Sequence, residues 1–265
     1  MVLAERLLLL DVGNSRIKGQ ILGGMRLLGS FELATKHPWN GEKLFTALAS
    51  QWEKLGPTPQ SVCVCSVVEG LVVYLNQAFK QAGIQDILFL DEQVLSPLGL
   101  QNEAQGCGND RLVTAFGSWL NYREDLVILD FGTATTYDVI TGSGKFLGGM
   151  ILPGVRLSFE ALASQAEGLR EVDLEEMPPL IGKNTADALR SGIILGNAMM
   201  ADRFKEKIAL EQGRPFRMIA TGGLGRFIAP SSNAIEGWIE DLTMQSMARI
   251  WKAHRAEETQ GGRHG

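Results

Sequence analysis

Two aspartates with the same surroundings stand 119 positions apart in this 265-residue chain, and their setting points to phosphate chemistry. Asp11 closes the apolar run of "LLLLDVGNSRIK" (7–18), and Asp130 closes that of "DLVILDFGTATTYDVIT" (125–141). In both, Asp-x-Gly leads through small polar residues into a second strand-like segment. A turn after Asp-x-Gly exposes backbone N–H groups, and glycine lets that backbone approach a phosphate with no Cβ in the way. The aspartate can hold a magnesium ion directly or through water, because hard cations prefer carboxylate oxygen. Asn14, Ser15 and Lys18 add donors beside Asp11 and Gly13. One such segment can equally be a strand and its turn, since Asp, Gly, Asn and Ser favour turns for conformational reasons. Two copies, each ending an apolar strand, favour a pair of facing turns on one phosphate chain.

Other segments carry weaker signals. "CGNDRL" (107–112) opens a helix with a carboxylate, Asp110, beside a guanidinium, Arg111. A carboxylate in reach of a substrate hydroxyl can take its proton during phosphoryl transfer, and a neighbouring Arg can grip an acidic substrate. Asp at a helix start is also an ordinary capping choice. "IATGGLG" (219–225) ends a strand in paired glycines, where an adenine ring can lie against bare backbone; a tight strand-to-helix turn reads the same way. No G-x-x-x-x-G-K-[ST] occurs, and "GSGKFLGG" places Leu147 where a dinucleotide motif needs its third glycine. His37, His254 and His264 share no spacing suited to a metal or a triad.

The elements that must position these residues follow from periodicity. "RLLLLDVGN", "RIKGQIL" and "MRLLGSFEL" read as a three-strand meander with a Gly23-Gly24 turn. Leu44, Leu48, Trp52 and Leu55 share one face of a helix that stops at Gly56-Pro57. A strand (61–68), a helix (71–83) and a strand (84–90) come next, giving a mixed sheet with helical cover. The pattern then returns: after Asp130 come a second strand, a "GSGK" hairpin turn and "FLGGMIL". Further helices are expected at 155–166, from Asn184 to about Leu210, and to about His254, with a strand in "FRMIATGG". Asn184 and Asp187 suit a capping box. The chain reads as two copies of one α/β unit with a cleft between them: 1–115, 116–254 and an unstructured tail, 255–265.

Composition narrows the partners. A net charge of −5 and a pI near 5.4 argue against a broad nucleic-acid footprint, so any anion is held locally. The opening apolar run is far shorter than the roughly 20 residues of a membrane span and lacks a small-residue cleavage site, which suggests the cytoplasm. Cys63, Cys65 and Cys107 are too few for a disulfide framework or zinc site and read as buried, inert thiols of a reducing compartment.

Taken in order, these segments resemble the type III pantothenate kinases, members of the superfamily that contains acetate and sugar kinases, heat-shock 70 proteins and actin. "DVGNSRIK" is similar to that family's first phosphate motif, "GNDR" to its substrate motif and "DFGTATT" to its second phosphate motif. "GGMILPGV", "IGKNTADALRSG" and "TGGL" resemble further family segments in the same order. The resemblance implies duplicated actin-like (sugar-kinase-like, ribonuclease H-like) domains and ATP-dependent phosphorylation of pantothenate, the first step of coenzyme A synthesis. It implies that Asp11, Val12, Gly13, Asn14, Ser15, Arg16, Ile17 and Lys18 hold ATP phosphates, with Mg2+ accompanying the nucleotide at Asp11. Thr133 would touch ATP, and Asp130 would bind a monovalent cation, K+ or NH4+. Asp110 would accept the proton, Gly108, Asn109, Asp110 and Arg111 would contact pantothenate, and Thr185 would reach it across a homodimer interface. The chain departs from the family pattern where a substrate-binding tyrosine and a following proline are usual: Gln101 and Ala104 stand there. Two other readings use the same turns: a nucleotide-dependent regulatory protein, and a kinase for another small hydroxy acid.

Overall fold

The computed structural model describes residues 5–165 and 172–261. The chain divides into two compact units, one of residues up to Asn121 together with the chain from Thr243, the other Tyr122–Leu242.

In the first unit, β1 (Arg6–Val12), β2 (Arg16–Gly23) and β3 (Arg26–Ala34) form the expected meander. Helix α1 (Gly41–Lys54) follows, started by Asn40, whose side chain accepts from the Lys43 N–H at 2.8 Å. Strand β4 (Ser61–Ser66), helix α2 (Glu69–Gln81) and strand β5 (Asp86–Leu90) complete an α/β layer. The sheet order is β3-β2-β1-β4-β5, antiparallel through β1 and parallel beyond it. Leu8, Leu10 and Val12 point into a core with Leu44, Leu48, Trp52, Leu75 and Phe79. Strand alternation therefore puts Leu9 and Asp11 on the opposite face. A short helix α3 (Glu92–Leu95) and a two-residue strand β6 (Gln101–Asn102) lead to α4 (Asn109–Tyr122).

The second unit repeats the plan. β7 (Leu126–Phe131), β8 (Ala134–Ile140) and β9 (Lys145–Pro153) are an antiparallel meander, and β10 (Arg217–Thr221) and β11 (Ile235–Trp238) extend β7 in parallel. The core of this unit joins Val127, Leu129 and Phe131 to Phe159 of α5 (Val155–Gln165) and to Ile193 and Ala198. Asp130, like Asp11, alternates to the other face.

The structure departs from the sequence expectations at several points, beginning with α3 and β6, for which no element was expected. The helix expected from Asn184 begins as α6 (Thr185–Arg190), widens into a π turn (Ser191–Leu195), and resumes as α7 (Gly196–Gln212). Ser191 there donates its hydroxyl to the Leu180 carbonyl at 2.6 Å, which ties the start of the π turn to the preceding loop while its N–H stays bonded within the helix. Strand β11 and the short helix α8 (Gly225–Ile228) were not foreseen, being four residues each with no full period to read. The division expected after residue 115 falls inside α4, whose Leu112, Val113, Phe116 and Trp119 are buried as one continuous face. Finally, α9 (Leu242–Gly261) belongs to the first unit and continues well past His254. It crosses α4 so closely that a Cβ on Gly117 would lie 2.5 Å from the Ser246 Cα. Thr114 and Thr243 share a hydroxyl bond of 2.8 Å at that crossing. Residues 255–261, expected as tail, are helical, with Arg255 paired to Asp86 and Glu258; residues 262–265 lie outside the described residues.

Candidate active site

The site in the first unit is built around the β1–β2 turn. Val12 and Ile17 pair across it, and the Gly13 N–H donates to the Arg16 carbonyl at 3.0 Å. Two neighbours hold the loop from outside. Thr35 donates its hydroxyl to the Gly13 carbonyl at 2.7 Å and its N–H to the Ser15 carbonyl at 3.2 Å, while the Val67 N–H donates to the Val12 carbonyl at 3.1 Å. With its carbonyls engaged on the protein side, the turn leaves Asn14, Ser15, Arg16 and Lys18 exposed as donors. The Val12 and Ile17 side chains are fully buried in the core, so only their backbone can serve a phosphate. Arg16 is bonded to Glu32 at 2.7 Å.

Asp11 pairs in register with Lys18 on β2 and with Cys65 on β4. Beyond Cys65, the Asn109 side-chain amide donates to the Ser66 carbonyl at 3.4 Å, which fixes the start of α4 against the end of β4. The Gly108 carbonyl accepts from the N–H groups of Arg111 and Leu112, so Gly108 occupies the capping position and Asp110 lies inside the first turn. There its carboxylate accepts from the Arg111 N–H at 2.8 Å and benefits from the positive end of the helix. A Cβ at residue 108 would sit 2.6 Å from Asp110 Oδ1, so the carboxylate keeps its place only above a glycine. Burial first, then the charges of Asp11 and Asp110, push the Cys65 thiol well above the usual thiol range.

The equivalent turn of the second unit is one residue tighter. Phe131 and Thr135 pair across it, and the Gly132 N–H donates to the Ala134 carbonyl at 3.1 Å. Two glycines enclose it. A Cβ at Gly154 would lie 2.9 Å from the Gly132 carbonyl oxygen, and one at Gly222 would lie 2.5 Å from the Phe131 oxygen and 2.7 Å from Asp130 Oδ1. Gly222 also has φ +87°, which L side chains adopt only at a cost. Its carbonyl accepts from the Trp238 indole at 2.9 Å. Asp130 pairs in register with Thr136 and Thr221; Thr133 and Gly223 stand exposed beside it. Thr185 is exposed as the first residue of α6, after Asn184 accepts from the Asp187 N–H at 2.9 Å.

Sequence reasoning thus located the aspartates, the glycine turns and the start of α4. It missed Thr35, which follows β3 and hydrogen-bonds the first turn, the register of Cys65 beside Asp11, and the enclosing role of Gly154. No group of three or more His, Cys, Asp or Glu suited to a metal occurs among the described residues. Asp11 beside the exposed donors of its turn fits Mg2+ carried in with a nucleotide, since that ion keeps several waters and binds through one or two carboxylates plus substrate phosphates.

A model of the type III pantothenate kinase family matches residues 7–207. The type III pantothenate kinase of Desulfosudis oleivorans is 32% identical over 254 residues, covering 92% of this chain and 98% of the relative. Among solved structures, a ROK hexokinase from Thermus thermophilus superposes with a TM-score of 0.52 at 14% identity, covering 92% of this chain and 98% of the other. A protein described as a Baf family transcriptional activator from Campylobacter jejuni superposes with a TM-score of 0.59 at 23% identity, covering 94% and 99%. The likeness to the hexokinase shows the actin-like, sugar-kinase-like fold of two α/β units.

Proposed function

We propose a role for each residue of the site from one premise: the chain belongs to the type III pantothenate kinase family. Its reaction is the phosphorylation of pantothenate by ATP, with a divalent metal, in coenzyme A biosynthesis. The Gly13 turn and Lys18 hold ATP phosphates through N–H groups and charge, aided by Asn14, Ser15 and Arg16. Asp11 holds the Mg2+ that accompanies them, and the ion supplies neutralisation of phosphate charge when bound. Asp110 accepts the proton of the pantothenate hydroxyl as the new P–O bond forms, while Gly108, Asn109 and Arg111 orient the acceptor. Asp130 holds K+ or NH4+, and Thr133 contacts ATP. Because phosphoryl transfer asks the protein mainly to position reactants and balance charge, fixed backbone around each carboxylate matters more than nucleophilic side chains.

The observation that supports this reading is that the Asp11 turn and the start of α4 are both tied to the end of β4, the first through the Val67 N–H on the Val12 carbonyl and the second through Asn109 on the Ser66 carbonyl. Thr185 reaches pantothenate in a homodimer. Exposed Leu157, Leu180, Ile181 and Met199 on the second unit give such a dimer apolar surface to cover. The cytoplasm is the proposed location. A coupled ADP-release assay tests the reading: release should require pantothenate and be faster in potassium than in sodium buffer. Release independent of pantothenate would support a regulatory ATPase, and release only with another hydroxy acid would move the acceptor assignment, beginning at Gln101.

A further inference from the structure

Thr35, the residue that follows β3, touches the turn after Asp11 twice. Its hydroxyl donates to the Gly13 carbonyl at 2.7 Å and its N–H to the Ser15 carbonyl at 3.2 Å, so one residue holds the carbonyls on either side of Asn14. Thr35 is itself buried, whereas Asn14 and Ser15 are exposed. The Gly13–Asn14 peptide is trans, and a trans peptide points its C=O and the following N–H in opposite directions. A Gly13 carbonyl drawn to a buried hydroxyl therefore turns the Asn14 N–H away from Thr35. Among the described residues neither the Asn14 nor the Ser15 N–H has a hydrogen-bond partner, while the Gly13 N–H is taken by the Arg16 carbonyl.

We propose that Thr35 is a positioning residue for the nucleotide: its hydroxyl fixes the Gly13–Asn14 peptide so that the Asn14 N–H is presented to a phosphate oxygen. This rests on the reading of that turn as the holder of ATP phosphates. Without the hydroxyl, the Gly13 carbonyl loses this donor and the exposed peptide can rotate toward water, carrying the Asn14 N–H with it. A hydrogen bond to an ionised oxygen is stronger than one between neutral groups, and it gives its full effect only when the donor is aimed beforehand. The bond from the Thr35 N–H to the Ser15 carbonyl does not involve the side chain, so the pairing of β2 with β3 survives loss of the hydroxyl. Aim and fold are thereby separable. The contact with phosphate exists in the bound nucleotide and during transfer alike, so its loss shows in nucleotide affinity rather than in turnover.

The experiment compares Thr35→Val, which keeps the shape and loses the donor, with Thr35→Ser, which keeps the donor. Steady-state kinetics of the full chain give kcat and the KM values for ATP and pantothenate. Inhibition by ADP and by adenosine reports nucleotide binding with and without phosphates, and thermal melting checks the fold. Thr35→Val should raise KM for ATP and the inhibition constant of ADP by about 10-fold, the effect of one charge-assisted hydrogen bond. Its kcat, KM for pantothenate and inhibition by adenosine should stay within about threefold of the parent, and Thr35→Ser should do so in every constant. Should Thr35→Val not fold, Thr35→Ala carries the same expectation. A lower melting temperature with parent-like ATP and ADP constants would overturn the proposal, as would equal weakening of ADP and adenosine, or a Thr35→Ser that behaves like Thr35→Val. Lys18→Ala, assayed alongside, separates the premises when Thr35→Val is parent-like. Weaker ADP inhibition in Lys18→Ala then rejects only the role of Thr35, whereas unchanged inhibition rejects the phosphate assignment of the turn and the proposal with it.

Discussion

At the residue scale, the proposed chemistry rests on carboxylates whose backbone the fold holds in place, Asp110 in the first turn of α4 and Asp11 at the end of β1. Asp110→Asn keeps the shape and the bond from the Arg111 N–H but cannot accept a proton, so kcat should fall by about 10²- to 10⁴-fold with unchanged melting. Stopped-flow or coupled assays with circular dichroism as the folding check decide it. Asp130→Asn should abolish any difference between potassium and sodium, because a singly charged ion needs the full carboxylate to compete with water. Activity rates for the parent and variant across the two salts are the measurement. Burial holds the thiols of Cys63 and Cys65 above the usual range, so the folded state keeps them protonated and unreactive. The sign follows: neutral thiols favour the fold below the unfolded thiol pKa of about 8.5, and that advantage fades as pH rises beyond it. A thiol reagent at pH 8 should therefore label Cys107 alone in the native protein and all three cysteines in denaturant.

At the element scale, the fold depends on glycines where backbones approach one another. Gly117 lies under Ser246 where α4 and α9 cross, so Gly117→Ala should cost about 1–3 kcal/mol through overpacking. Gly70, in the first turn of α2, has nothing within 4 Å of an added Cβ, and Gly70→Ala should instead stabilise by about 0.4–1 kcal/mol. Urea unfolding midpoints of the two variants should move in opposite directions. The long segment after Asn184 is helical, as its apolar spacing predicts, and the π turn at Ser191–Leu195 within it is a feature that no local pattern announces.

At the scale of the whole molecule, the last helix completes the first unit's core. Met244, Met247 and Ile250 are almost wholly buried, and burial of each contributes about 1.5–3 kcal/mol, so a chain ending at Leu242 loses an amount comparable with the usual 5–15 kcal/mol total. That truncation should be insoluble on expression. A chain ending at His254 loses chiefly the exposed Arg255 pairs, worth about 1 kcal/mol, and should melt within a few degrees of the full chain. Sequence periodicity alone determined the two strand-turn-strand repeats, the Asp-x-Gly turns and the helix beginning at Asn109, because strand alternation, turn chemistry and helix starts are set by neighbours along the chain. Tertiary structure decided that Cys65 stands in register beside Asp11, that Thr35 fastens the first turn, that Gly222 must be bare beside Asp130, and that α9 returns to the first unit. Each of those depends on register and packing between segments far apart in the chain, and the free energy that selects them comes from surfaces that meet only once the sheets have formed.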